Sequence, residues 1–227
     1  MTPRGNADQT VVVAPADEQR QNWSATFAAH PDMYGDEPSD AAVAAADEFA
    51  AADVVTVLEL GAGQGRDTLY LARRGFHVHA LDYALEGIKA IEAKADTEGL
   101  GDRVTVGVHD VRERLPFADA VFDASYSHML LCMALTTPEL ERLIADLRRV
   151  LRPGGRVVYT VRTTDDAHYG AGIARGDDTY EHGGFAVHFF DHALIERLSE
   201  GFVLVDVSEF TEGELPRRLA RVTMRRA

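Results

Sequence analysis

The heptapeptide Glu59-Leu60-Gly61-Ala62-Gly63-Gln64-Gly65 constrains this chain more than any other stretch. It follows the apolar run Val54–Leu58 and precedes a stretch of helical spacing from Arg66, so it reads as a strand end, a turn and a helix start. Glycines at alternate positions let the backbone turn sharply and approach a ligand without side-chain clash, and the helix that follows offers unpaired N–H groups. The spacing narrows the ligand. A dinucleotide fingerprint needs a further Gly or Ala where Arg66 stands, and a phosphate-cradling loop needs Gly-Lys-Ser or Gly-Lys-Thr, which is absent.

A chain of 227 residues that is 46% hydrophobic has material for one substantial core, which suits a single α/β domain. Its formal net charge of -14 opposes attraction to nucleic-acid backbones and anionic membranes. The expected partner is therefore a small molecule, with no nucleic acid and no membrane; nothing in the pattern specifies an oligomeric state. A single cysteine, Cys132, excludes an internal disulfide framework and a thiolate-rich zinc site. The polar N-terminus carries no apolar signal segment, so a cytoplasmic location is expected.

Residues 1–17 lack periodicity and read as a mobile arm. From Glu18 to His30, Trp23 and Phe27 at i and i+4 share one face of a short helix that stops at Pro31, and Ser39 caps an alanine-rich helix to about Ala51. Residues 18–52 thus either pack as a helix pair or act as a lid that closes Tyr34 or Trp23 over a ligand. A strand Thr56–Leu60, a helix Gln64–Arg74, a strand Phe76–Leu81 ending in Asp82, a helix Ala84–Ala95 and a strand Arg103–Val108 ending in His109-Asp110-Val111 follow. Glu59, Asp82 and Asp110 are then acids at successive strand ends, where open α/β sheets bind ligands. A fourth strand, Ala120–Tyr126, leads into Ser127-His128-Met129. The next helix starts at Thr137-Pro138, and Arg152-Pro153-Gly154-Gly155 ends it before a fifth strand, Arg156–Thr163. Residues 164–190 form a long polar insertion, of the kind that carries function inside a compact domain. After a helix Ala193–Glu200 capped by Asp191, Phe202–Phe210 and Arg218–Arg225 pair antiparallel. Five strands alternating with helices before a hairpin imply an α/β fold, with a doubly wound, mostly parallel, Rossmann-like sheet over residues 53–227.

These motifs, in this order, resemble the class I S-adenosylmethionine-dependent methyltransferases from about Val54 to Arg225. Glu59-Leu60-Gly61-Ala62-Gly63-Gln64-Gly65 is similar to that family's glycine motif, Asp82 to its ribose-binding acid and His109-Asp110-Val111 to its adenine-side motif. Leu151-Arg152-Pro153-Gly154-Gly155 resembles its turn before strand five, and the hairpin fits its seven-stranded sheet with an antiparallel last strand. Small-molecule enzymes of the tellurite-resistance and thiopurine type share the N-terminal aromatic segment and the insertion after strand five. Ser125-Tyr126-Ser127-His128 stands where amino-methylating DNA and glutamine enzymes carry Asn or Asp-Pro-Pro-aromatic, which counts against methylation of an exocyclic amine.

The resemblance implies S-adenosyl-L-methionine as cofactor, with Glu59, Gly61, Ala62, Gly63, Gly65, Asp82, Tyr83, Asp110, Val111 and Ser127 as its contacts. It implies in-line methyl transfer to O, S, N, a metalloid or a halide of a small molecule, which requires near-attack geometry and a dry site rather than a covalent intermediate. His128 either takes the acceptor's proton as a general base or shapes the pocket. Tyr34, Trp23, His168 and His188 are the expected acceptor contacts. The histidines and acids of the insertion show no recognised metal-ligand spacing, so no metal is expected. The alternative is a regulator or scaffold that binds S-adenosylmethionine without chemistry; a dinucleotide enzyme is disfavoured by Arg66.

Overall fold

A computed structural model describes residues 16–213 and 217–227. Two helices, α1 (Ala16–Ala29) and α2 (Asp40–Ala50), precede an alternating run. That run is β1 (Thr56–Leu60), α3 (Arg66–Arg73), β2 (His77–Asp82), α4 (Leu85–Thr97), β3 (Val104–Val108), β4 (Phe122–His128), α5 (Thr137–Val150) and β5 (Leu151–Arg162). Three short strands follow, β6 (Ile173–Gly176), β7 (Thr179–His182) and β8 (Phe185–His188), then α6 (His192–Leu198), β9 (Phe202–Glu212) and β10 (Arg217–Arg226).

The main sheet has seven strands in the order β3-β2-β1-β4-β5-β10-β9. Neighbours from β3 to β5 run parallel, and β10 is antiparallel to both β5 and β9. The chain steps outward from β1 to β2 and β3, then returns to place β4 on the other side of β1. That reversal opens a crevice at the carboxyl ends of β1 and β4, the position where ligands bind in open α/β sheets.

Both faces of the sheet are covered, so even the polar Ser125, Ser127 and Thr160 of the central strands β4 and β5 are buried. Ala42, Ala45, Phe49, Leu71, Ile91 and Tyr126 belong to one buried layer, and Phe122, Leu140, Ile144, Leu147, Tyr159 and Ile195 to the other. Ser39 caps α2 by accepting the Ala42 N–H at 3.0 Å. At α5 the reciprocal cap centres on Thr136, whose N–H and hydroxyl both donate to Glu139, one residue before the expected start.

Four expectations need adjustment. The α1 helix starts at Ala16, inside the expected arm; the rest of that arm, residues 1–15, lies outside the described residues, as do Glu214, Leu215 and Pro216 of the hairpin connection. Strand β4 runs on through Ser127 and His128 instead of stopping at Tyr126. The 151–155 segment is part of β5, yet it bulges: Phe122 pairs with Leu151 while Ala124 pairs with Arg156, and Gly154 takes φ +79°. The insertion is an ordered three-stranded antiparallel sheet, β6-β7-β8, in place of an irregular loop. Its Asp177-Asp178 turn, with both residues at positive φ, sits against α5, where Asp177 accepts the Thr137 hydroxyl at 2.6 Å.

One glycine was not anticipated as structural. A Cβ on Gly87, in the first turn of α4, would stand 2.2 Å from the Gly63 carbonyl oxygen, so α4 seats directly on the glycine turn. Gly87→Ala is expected to cost about 1–3 kcal/mol through this backbone clash, measured as a lowered urea midpoint at unchanged m-value.

Candidate active site

The crevice is built from the ends of the central strands. Beyond β1, the N–H groups of Gly61 and Ala62 both donate to the Leu81 carbonyl, at 2.8 and 3.1 Å, which binds the turn to the end of β2. Gly65 precedes α3 with φ +88°, and a Cβ there would meet Ile91 Cγ1 at 2.6 Å; glycine is required on both counts.

Asp82 clamps this turn. Its Oδ2 accepts the Gly63 N–H and its Oδ1 the Ala84 N–H, both at 2.8 Å. Burial raises the carboxyl above the usual carboxylate range, and these backbone donors oppose the rise. Each oxygen keeps lone-pair capacity for a further donor such as a ribose hydroxyl. Beside it Glu59, 3% exposed, receives the Thr68 hydroxyl at 2.6 Å. Burial, with the Asp67 carboxylate adding to it, pushes the Glu59 carboxyl up to about 8.

On the β3 side, burial raises Asp110 but the Arg112 guanidinium, with Nε 2.9 and 3.1 Å from the two carboxylate oxygens, outweighs it and holds the carboxyl below its ordinary value. Tyr83 lies between these acids, its phenol raised by burial and then by Asp82 and Asp110. Val111 is buried, as is Ala62. Two buried polar atoms of this region, Gln64 Oε1 and His109 Nε2, have no hydrogen-bond partner among the described residues. Both flank the expected cofactor contacts, and a ligand with polar groups at either end suits them.

At the end of β4, the Ser127 hydroxyl donates to the Leu60 carbonyl at 3.0 Å, tying β4 to β1. His128 Nδ1 lies 2.9 Å from Thr160 Oγ1, which also accepts the Met129 N–H at 3.0 Å. His128 Nε2 stands 3.3 Å from Glu212 Oε2, and the hydrogen bond from His128 is the main reason the Glu212 carboxyl is lowered. Arg66 reaches the same carboxylate at 3.7 Å and lies over the Tyr34 ring at 5.4 Å. Residues from four separate elements thus form a chain across the crevice mouth, Tyr34 to Arg66 to Glu212 to His128.

Glu212 was missed from sequence. It sits on the edge strand, three places from β4 in the sheet, and no local spacing relates it to His128. Cys132 beside this region is buried, and burial pushes its thiol up to about 11, so it is unreactive near neutral pH.

The N-terminal helix roofs the crevice. Gln64 Nε2 donates to the His30 carbonyl at 2.9 Å, and Phe27 Cζ lies 3.6 Å from where a Cβ on Gly63 would be. At its other end, Gln19 accepts the Ala186 N–H at 3.0 Å and Asn22 donates to Gly184 at 3.0 Å. Ring centroids run Phe185 to Trp23 at 4.9 Å, Trp23 to Phe27 at 5.3 Å and Phe27 to Tyr34 at 6.5 Å. Trp23 and Tyr34 are therefore joined to the glycine turn. The two insertion histidines each have protein partners of their own. His168 pairs with Asp166 at 3.1 Å and with Arg162, whereas His188 is 1% exposed with Nδ1 against the Leu135 carbonyl at 2.8 Å. Among the described residues no three of His, Cys, Asp and Glu converge as metal ligands, and no helix is long and apolar enough to cross a membrane.

Residues 57–155 match a family described as a methyltransferase domain. The methyltransferase GfsG of Streptomyces halstedii is 30% identical over 162 residues, 68% of this chain and 56% of that protein. The sterol 24-C-methyltransferase ERG6B of Gibberella zeae is 30% identical over 218 residues, 86% of this chain and 53% of that protein. The chain thus spans about half the length of these curated relatives. Among solved structures, the Burkholderia thailandensis 1,6-didemethyltoxoflavin-N1-methyltransferase, with that compound and S-adenosylhomocysteine bound, aligns with a TM-score of 0.74 over 100% of this chain and 93% of its own. At 22% identity that likeness is one of fold. With the glycine turn, the strand-end acids and the seven-stranded order in place, these similarities identify residues 57–155 as a methyltransferase domain, in a chain that has the class I methyltransferase fold.

Proposed function

We propose that this domain transfers a methyl group to a heteroatom of a small molecule by in-line displacement, with His128 taking the acceptor's proton. The observation that carries this is the Thr160–His128–Glu212 arrangement at the end of β4, the strand next to β1 and its Glu59. When bound, S-adenosylmethionine supplies an electrophilic methyl on a sulfonium centre.

In this proposal Glu59, Gly61, Ala62, Gly63 and Gly65 receive the cofactor's amino-acid end, Asp82 its ribose, Tyr83, Asp110 and Val111 its adenine, and Ser127 lines the floor. Thr160 Oγ1 has capacity to accept the His128 Nδ1–H as well as the Met129 N–H. His128 Nε2 donates to the Glu212 oxygen at 3.3 Å before the acceptor enters; as the acceptor displaces that oxygen the Nε2 proton leaves to solvent, the Nδ1–H stays on Thr160, and the Nε2 lone pair faces the acceptor. The acceptor's heteroatom–hydrogen bond then breaks, its proton passes to Nε2, and the nearby Glu212 carboxylate balances the imidazolium. A carboxylate that orients and neutralises histidine suits an acceptor that must lose a proton, such as a hydroxyl, thiol or amine. The small-molecule class is supported by the net charge of -14 and by the narrow, roofed crevice. The relatives' names span nitrogen and carbon acceptors, so the preference for a heteroatom rests on the His128 and Glu212 pair.

Two measurements test these roles. In calorimetry with S-adenosylhomocysteine, Asp82→Ala is expected to weaken binding about 10- to 100-fold, the worth of hydrogen bonds to a charged group; unchanged affinity removes Asp82 from the cofactor site. In a labelled-methyl screen over phenols, alcohols, thiols and amines, His128→Ala is expected to lower kcat about 100-fold or more with cofactor affinity unchanged, and Glu212→Gln by a smaller factor. A His128→Ala enzyme of full rate would leave the imidazole a structural group.

A further inference from the structure

Three carboxyl groups are buried together at the glycine turn: Glu59 at the end of β1, Asp67 in α3 and Asp82 at the end of β2, at 3%, 4% and 9% exposure. Their partners differ. Asp67 accepts the Ser39 N–H at 2.8 Å, the Ser39 hydroxyl at 2.8 Å and the Tyr126 hydroxyl at 2.9 Å, and Arg66 Nε lies 3.8 Å away. Asp82 accepts two backbone N–H groups. Among the described residues Glu59 has the weakest support, one neutral hydroxyl from Thr68. The charged groups acting on it are Asp67 from α3 and Asp82 from β2, both negative, while the Tyr126 phenol facing it from β4 is neutral. Arg66 reaches Asp67 and Glu212 rather than Glu59.

Three like charges withdrawn from water cannot all ionise cheaply, so the least supported one keeps its proton. We propose that cofactor binding drives this proton off Glu59, so that the buried acid, once ionised, becomes the counter-charge for the cofactor's ammonium group. This rests on the placing of the cofactor's amino-acid end at Gly61–Gly65. The step balances simply: the carboxylic O–H breaks, the proton leaves to solvent, and the carboxylate forms an ion pair with an ammonium that stays protonated.

The sign follows from linkage. In the free protein burial and the Asp67 carboxylate raise the Glu59 carboxyl to about 8, so at pH 7 it is mostly protonated. A ligand that binds the ionised form competes with that proton below this value, and its affinity rises about tenfold for each pH unit from 6 to 7. The dependence flattens above about 8, where Glu59 is already ionised.

S-adenosylhomocysteine is a sufficient probe, because it retains the ammonium group. Calorimetry at pH 7 in phosphate and in Tris, which differ widely in ionisation enthalpy, is expected to show release of close to one proton per site. Glu59→Gln is expected to bind with no release and no pH dependence between 6 and 7. Thr68→Val, which removes the hydroxyl donor and leaves the acid in place, is expected to keep the release and carry it to higher pH. Binding without proton release in the natural sequence overturns the proposal, as does release that survives in Glu59→Gln. If Glu59→Gln does not fold, judged by circular dichroism, loss of release in Thr68→Val overturns it instead. No binding of S-adenosylhomocysteine at all would overturn the assignment of the turn as the cofactor site, a different failure from binding that is silent in protons.

Discussion

A single buried carboxylate, Asp67, holds the N-terminal part of the fold to its centre. It accepts from the cap residue of α2 and from Tyr126 on β4 while belonging to α3, so three elements distant in sequence share one charge. Such a group is costly to bury alone and stable only when its lone pairs are satisfied, which is met here by three donors. The same charge also sits beside Glu59, and one electrostatic constraint therefore links the packing of α2 to the state of the ligand turn.

The turn is narrow because everything around it approaches closely. Ile91 stands against Gly65, α4 against Gly63 through Gly87, and Leu130 against Gly61. Two of these contacts are made by apolar side chains and one by backbone, and the strand-end acids lie next to the turn. Above them α1 spans from Gln64 to the β8 strand of the insertion, so the roof and the inserted sheet hold to one another through Gln19, Asn22 and Trp23. The insertion thereby acts as a support for the roof through Gly184, Phe185 and Ala186.

Much of this was legible because it is local. The glycine spacing, the acids at Glu59, Asp82 and Asp110, the cap at Ser39 and the leucine face of α5 are patterns within a few residues, and the doubly wound order follows from their alternation. Non-local geometry escaped. Glu212 meets His128 only through the fold of the hairpin, and Gly87 looks like an ordinary helix position until Gly63 is brought against it. The polar composition of residues 164–190 concealed β6, β7 and β8, whose strands themselves carry Arg175, Thr179, Glu181 and His182 while Ala186 and Val187 are buried in the core.

The position of β10 between β5 and β9 bears on how the molecule is assembled. β9 precedes β10 in the chain but joins the sheet only through it, so the edge strand has no place until the later strand has docked. Glu212, at the end of β9, can reach His128 only then, with Arg66 closing a loop of well over half the chain. Contacts of such sequence separation form late, because their loop-closure entropy is met only after the local units exist. During synthesis the glycine turn and its acids can form long before the pair at His128 is complete, so the domain acquires the parts of a cofactor site ahead of the arrangement that handles the acceptor.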